Sequence, residues 1–186
     1  MKFLAAVVVI LSSLLAQPVL AQDRFRDAST GFAITVPAPF AVERTKRRQF
    51  DVGVGLRTTT GSPPLVGTGQ FICEAGFKAA SQNNDLTREE INDFIQQPEW
   101  RKLARATIGL VFNVTKERTF MLAGFRGVEY QARPKFGPGA EDVRTLISII
   151  ETPKGRTSII CLTNKKTFQS SLALFRSVRN GVTLPQ

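Results

Sequence analysis

The stretch "VRTLISIIETPKGRTSIICLTN", residues 143–164, constrains the fold more than any other. Two runs rich in β-branched residues flank a turn containing Pro153 and Gly155, the pattern of a β-hairpin. Apolar residues stand at both parities: Leu146, Ile147, Ile149 and Ile150 before the turn, then Ile159, Ile160 and Leu162 after it. Successive side chains of a strand point to opposite faces, so this hairpin is apolar on both and needs cover on both. A central sheet held between helical layers meets that need.

The flanking segments supply the other elements. Phe32, Ile34 and Val36 alternate in "GFAITVPAPF" and predict a strand ended by Pro37 and Pro39. Val52, Val54 and Leu56 predict a second strand, with Gly53 and Gly55 on its other face, where a helix or backbone would approach closely. Phe71, Cys73, Ala75 and Phe77 predict a third. In "TREEINDFIQQPEWRKLARATIG", Thr87 and Glu90 fit a capping box, and Ile91, Phe94 and Ile95 form one apolar stripe. Pro98 suits the first turn of a second helix, which Trp100, Leu103, Ala104 and Ile108 continue at helical spacing. Residues 110–133 predict two or three strands, with Gly124 and Gly127 as bends or bulges. A closing helix, "TFQSSLALFRSVRNG", is expected to be capped by Thr167, to bury Phe168, Leu172, Phe175 and Val178, and to end at Asn180–Gly181. Strand hairpins with two helical segments make an α+β domain with a mostly antiparallel sheet. A cystatin-like or NTF2-like α+β layout is the alternative.

The first residues are of another kind. "MKFLAAVVVILSSLLAQPVLAQ" has a basic start, an apolar run and small residues at Val19 and Ala21, the layout of a secretory signal peptide. Its apolar run is shorter than the roughly 20 residues of a spanning helix. Cleavage is expected after Ala21, leaving residues 22–186 as one globular domain in the periplasm or outside the cell, with no membrane span.

The chain contains no histidine, which excludes Ser–His–Asp and Cys–His sites and every His-ligated metal site. Its two cysteines, Cys73 and Cys161, are far apart in sequence and have no metal-ligand spacing. Glu74 beside Cys73 would raise a thiol pKa, contrary to what a nucleophile needs. An exported chain with an even number of cysteines favours a Cys73–Cys161 disulfide, with two buried free thiols as the alternative. No catalytic residue, metal ligand or cofactor site is expected.

The formal net charge is +10, and +9 once Lys2 leaves with the leader. Such a balance favours anionic partners. The densest basic run is Arg44, Lys46, Arg47 and Arg48, between two expected strands. It is either a grip for an anionic partner or a solvated loop, and Arg24 and Arg26 join it if the N-terminal strand runs alongside. Nucleic acid is not expected, because the aromatics are mostly Phe at core-periodic positions. Glu89, Glu90 and Asp93 sit where a helix dipole favours acids. The glycine pairs in "VGVGL" and "VGTGQ" do not form a phosphate-binding loop. Trp100 reads as a core anchor.

The opening "GFAITVPAPF", the central helix, "AGFRGVEYQAR", the "ETPKG" hairpin and the last helix, "FQSSLALFRSV", together resemble the Mog1/PsbP-like superfamily in layout over residues 24–184. That resemblance implies a sheet sandwiched by helices and a mostly non-catalytic role in binding or assembly, with no shared catalytic residues. The expected function is an exported module contacting a protein or an anionic envelope component. Two alternatives make structural demands of their own. A carboxylate-dependent hydrolase needs two carboxylates about 5–9 Å apart in one cleft. A carrier of a small apolar ligand needs a closed pocket of about 300 Å³ or more.

Reduction of the exported protein is expected to raise its intact mass by about 2 Da, with the N-terminus at Gln22. An unchanged mass would leave Cys73 and Cys161 as thiols.

Overall fold

A computed structural model describes residues 22–67 and 69–186. The expected leader lies outside the described residues.

Among the described residues, ten strands, three α-helices and a short 3-10 turn follow one another in an antiparallel design. Strands β1 (Asp23–Arg26) and β2 (Ala33–Val36) pair with each other, and the short β10 (Val182–Thr183) completes a three-stranded sheet in the order β1-β2-β10. The main sheet has seven strands: β3 (Phe40–Thr45), β4 (Val52–Thr58), β5 (Cys73–Ala79), β6 (Phe112–Leu122), β7 (Phe125–Pro134), β8 (Val143–Thr152) and β9 (Gly155–Asn164). Their spatial order is β3-β4-β5-β9-β8-β7-β6. The hairpin β8–β9 thus lies in the interior of the sheet, as its two-sided apolar pattern demands.

Helices α1 (Arg88–Gln96), α2 (Pro98–Gly109) and α3 (Phe168–Asn180) supply the two layers. Adjacent register pairs show which face each covers. Glu117 of β6 stands opposite Tyr130, and Arg118 opposite Glu129. Glu117 pairs with Arg101 and Arg105 of α2, whereas Glu129 pairs with Arg176 and Arg179 of α3. Neighbouring positions of a strand face opposite ways, so α2 and α3 lie on opposite sides of the sheet.

The α1–α2 pair covers the β6–β7–β8 half of its face but not the β4–β5 half. There, glycines with aromatic roofs replace a helix. A Cβ at Gly55 would collide with the Phe71 ring, and one at Gly76 with the Phe50 ring. The close neighbours expected at Gly53 and Gly55 are therefore aromatic side chains, not a helix or backbone. Gly127 follows the same rule under Phe120 and is neither bend nor bulge. The irregularity in β6–β7 falls between Val114 and Lys116 instead. The turn itself is Ala123–Gly124, where both residues have positive φ (50° and 82°), the geometry that matches hairpin twist.

The helix starts are set locally. Thr87 and Glu90 form the reciprocal capping box, with Glu90 N–H donating to Thr87 Oγ1 (3.2 Å) and Thr87 N–H to Glu90 Oε2 (2.8 Å). Thr167 does not cap α3 with its side chain; Asn164 Oδ1 accepts from Thr167 N–H (2.9 Å) and Oγ1 (3.0 Å). The buried face of α3 is Phe168, Leu172, Phe175 and Val178, as the spacing predicts.

Cys73 and Cys161 are directly opposite on β5 and β9 and form a disulfide across the centre of the main sheet. Leu162 N–H donates to Ile72 carbonyl (2.8 Å), which makes the cysteine pair a non-hydrogen-bonded one, where opposed Cα atoms are closest.

Tyr130 is fully buried on the α1–α2 side. Burial, with a further push from the Glu117 carboxylate, raises its pKa to about 12 against the opposing charges of Arg101 and Arg105. It is the one tyrosine of the chain, so its titration is directly readable. Tyrosinate absorbance is expected to be absent from the native protein up to about pH 11 and to appear near pH 10 on denaturation. Native ionisation near pH 10 would mean that α2 does not seal this side.

Candidate functional site

Two carboxylates, Glu129 and Glu151, are buried inside the fold. Glu129 is 1% exposed and meets three guanidinium groups: Arg118 Nη2 at 3.2 Å, Arg176 Nη2 at 2.9 Å and Arg179 Nη1 at 2.8 Å. Burial alone would raise its pKa and is the largest influence, but the hydrogen bonds and charges of Arg176 and Arg118 together outweigh it, so the carboxyl is held below its ordinary range. Arg179 also stacks over Phe120, 4.0 Å from the ring centroid, and donates to Asn180 Oδ1. This is a structural clamp with its lone pairs occupied. Glu89, Glu90 and Asp93 lie on α1, where Glu90 serves the cap.

The expected basic run divides. Arg44, on β3, pairs with Asp27 (3.3 Å) and lies over the Phe25 ring. The Asp27 carboxyl is held below its usual range, first by hydrogen bonds from Ser29 and Thr30, with Arg44 a smaller influence. Arg47 is bonded to Glu74. Lys46 and Arg48 are exposed and have no ion pair among the described residues. These four residues line a shallow concavity of about 430 Å³ with Phe50 and Asp51. Strand β1 does run beside β3, with Arg24 and Arg26 exposed.

At the same end of the sheet lies a more structured groove, joined to the basic turn through the Lys78 Nζ–Asp51 pair (2.6 Å). Its volume is about 340 Å³. One wall is apolar: Phe94 from α1, and Trp100 and Leu103 from α2. Phe94 meets the Trp100 ring edge-on, with centroids 6.3 Å apart. Trp100 is buried, as expected of a core anchor, but Leu103 is 68% exposed and Phe94 37% exposed. The buried stripe of α2 runs through Trp100 and Ile108, with Ala104 half-buried. Leu103 is turned away from its centre by about 100° at 3.6 residues per turn.

The groove floor is polar and buried. Glu151 is 2% exposed; its Oε1 accepts from Arg156 Nε (2.6 Å), and its Oε2 from Asn83 Nδ2 (3.4 Å). Asn83 also donates to the Thr152 carbonyl (3.1 Å). Sequence reasoning did not single out Glu151, Asn83 or Arg156; the visible signal was a charged residue closing an otherwise apolar strand. Glu151 is the sole carboxylate among the lining residues, so the groove lacks the facing pair a carboxylate hydrolase would use. It is open to solvent, unlike the closed pocket a small apolar ligand requires. What it offers is a shaped apolar wall beside a rigid polar floor, suited to receiving a side chain from a partner.

No protein-family model and no curated protein sequence matches the chain. Among solved structures, cyanobacterial PsbP from Synechocystis superposes with a TM-score of 0.56 at 13% identity, covering 94% of this chain and 98% of that one. The Ran-binding protein Mog1p of Saccharomyces cerevisiae gives a TM-score of 0.43 at 11% identity, covering 90% and 97%. The first of these superpositions shows that the chain has the PsbP-like α+β fold.

Proposed function

We propose that the protein is an exported, non-catalytic binding or assembly module whose groove, walled by Phe94, Trp100 and Leu103, docks a protein partner. The carrying observation is the contrast between committed and uncommitted groups. The two cysteines are joined, Glu129 is clamped and Glu151 is bonded on both oxygens, while Leu103 and Phe94 stay in water at the mouth of a formed groove. Exposed apolar side chains beside satisfied polar ones favour association by shape and desolvation. The free cations Lys46 and Arg48 lie beyond Asp51 and add an attraction for acidic partners, which acts mainly on the rate of encounter. Export fits the leader pattern of residues 1–21 and the disulfide, which persists in oxidising compartments.

Affinity capture from a native envelope extract tests this reading. Wild-type protein is expected to recover a specific protein at both low and high salt. Leu103→Asp is expected to reduce recovery about tenfold, since it places a charge in the desolvated contact, with thermal stability unchanged. Recovery that vanishes at high salt, or that is equal for Leu103→Asp, would reject the groove as the docking site.

A further inference from the structure

The opposite end of the main sheet has a different character. Of the seven large apolar side chains exposed among the described residues, four gather there: Leu65, Leu110, Val111 and Phe136. The register fixes their location. Phe112 pairs with Pro134, and Val143 with Asn164, so the segments just outside these pairs emerge from one end. Lys135 N–H donates to the Val111 carbonyl (2.9 Å), which holds the Leu110–Val111 turn beside Phe136. Thr163 Oγ1 donates to the Pro64 carbonyl (2.9 Å), which brings Leu65 to the end of β9. Leu110 is 73% exposed and Phe136 65% exposed. At the spacing of neighbouring strands, the set is spread over about 14 Å from β9 to β6. Leu65 also lines a shallow concavity of about 260 Å³ with Arg57, Gln70 and Ile72, whereas Leu110, Val111 and Phe136 are separate tips.

The charge around these tips has one dominant sign. Arg133, Lys135 and Lys166 are exposed and have no ion pair among the described residues; Lys135 Nζ donates to the Gly109 carbonyl, and Arg144 donates only to main-chain carbonyls. Lys165 is paired with Asp142 (2.6 Å), which leaves Glu141 as the one uncommitted carboxylate of that loop. The chain also enters the fold at this end. Gln22 and Asp23 line one concavity with Pro39, Phe40 and Thr59.

We propose that this end is a peripheral docking surface for an anionic lipid bilayer. Leu110, Val111, Phe136 and Leu65 enter the headgroup–acyl boundary, while Arg133, Lys135 and Lys166 contact the anionic headgroups. Apolar insertion combined with cationic contact is the pairing that holds a protein on a membrane without spanning it. Scattered apolar tips suit a planar, deformable surface; a protein partner would need a matching pocket for each. The groove faces the other way, so a molecule seated on the bilayer by this end keeps the groove open to its partner.

Sedimentation of residues 22–186, which contain every described element, with lipid vesicles tests the proposal. Vesicles of phosphatidylglycerol and phosphatidylethanolamine are expected to bind about tenfold more protein than vesicles of phosphatidylcholine. The double variant Leu110→Ser/Phe136→Ser is expected to lose about tenfold of that binding, and Lys135→Gln/Lys166→Gln to bind more weakly and with a shallower salt dependence. All four side chains are exposed, and retention of the fold is read from the signal of Trp100, the single tryptophan. Leu103→Asp is expected to bind vesicles as wild type does, so a failure of the groove reading leaves this test intact. Absence of binding, equal binding to both vesicle types, or undiminished binding by Leu110→Ser/Phe136→Ser would overturn the proposal.

Discussion

One buried carboxylate ties the last helix to the main sheet. Glu129 stands in the middle of β7, and the three arginines that reach it come from β6 and α3. Taking a carboxylate out of water costs several kcal/mol, and good geometry with all lone pairs filled is what offsets it. The cost is met only when β6, β7 and α3 are all in their native places. The apolar face of α3 could slide along an apolar sheet; the guanidinium–carboxylate geometry fixes its position. Because the native carboxyl is held below its ordinary pKa, this contribution is complete above the ordinary carboxylate range and fades as pH falls through the native value. Phe120 over Gly127, with Arg179 stacked on that ring, extends the same clamp to the outermost strand.

The disulfide plays a matching role elsewhere. β5 and β9 are adjacent in space but 88 residues apart at the cysteines, with α1, α2 and the β6–β7 hairpin between them. Closing a loop of that length contributes roughly 4.5 kcal/mol at most by restricting the unfolded chain. Clamp and bridge together join the β3–β4–β5 half, the β8–β9 hairpin, the β6–β7 hairpin and α3. The two cysteines and Glu129 are thereby committed to scaffolding.

Much of this was legible from residues alone. The two-sided apolar hairpin at 143–164 implied a sheet covered on both faces, and Thr87 with Glu90 announced the start of α1. What escaped was long-range. Phe94 and Leu103 satisfy a loose helical spacing, yet each sits at the border of its stripe, and only the position of β5 and β8 shows that nothing covers them. Gly53 and Gly55 read as close approaches of a helix or backbone, and Gly127 as a bend or bulge, because a sequence does not show which aromatic ring will lie on which glycine. Glu129 hides inside "GVEYQ", where a lone acid on a strand gives no hint of arginines 47 and 50 residues away. The basic run was visible as composition, but its division into paired Arg44 and Arg47 and free Lys46 and Arg48 depends on where Asp27 and Glu74 fall.

A module of this design presents two ends with distinct chemistry on one rigid sheet, and the rigidity rests on the clamp. A double-mutant cycle between Glu129→Gln and Arg179→Met, read by chemical denaturation, measures it most directly. A coupling energy of about 2–3 kcal/mol is expected if the pair acts as a unit. Effects that add to within about 0.5 kcal/mol would show that Glu129 and Arg179 do not act as a unit, and would contradict the central role given to the clamp.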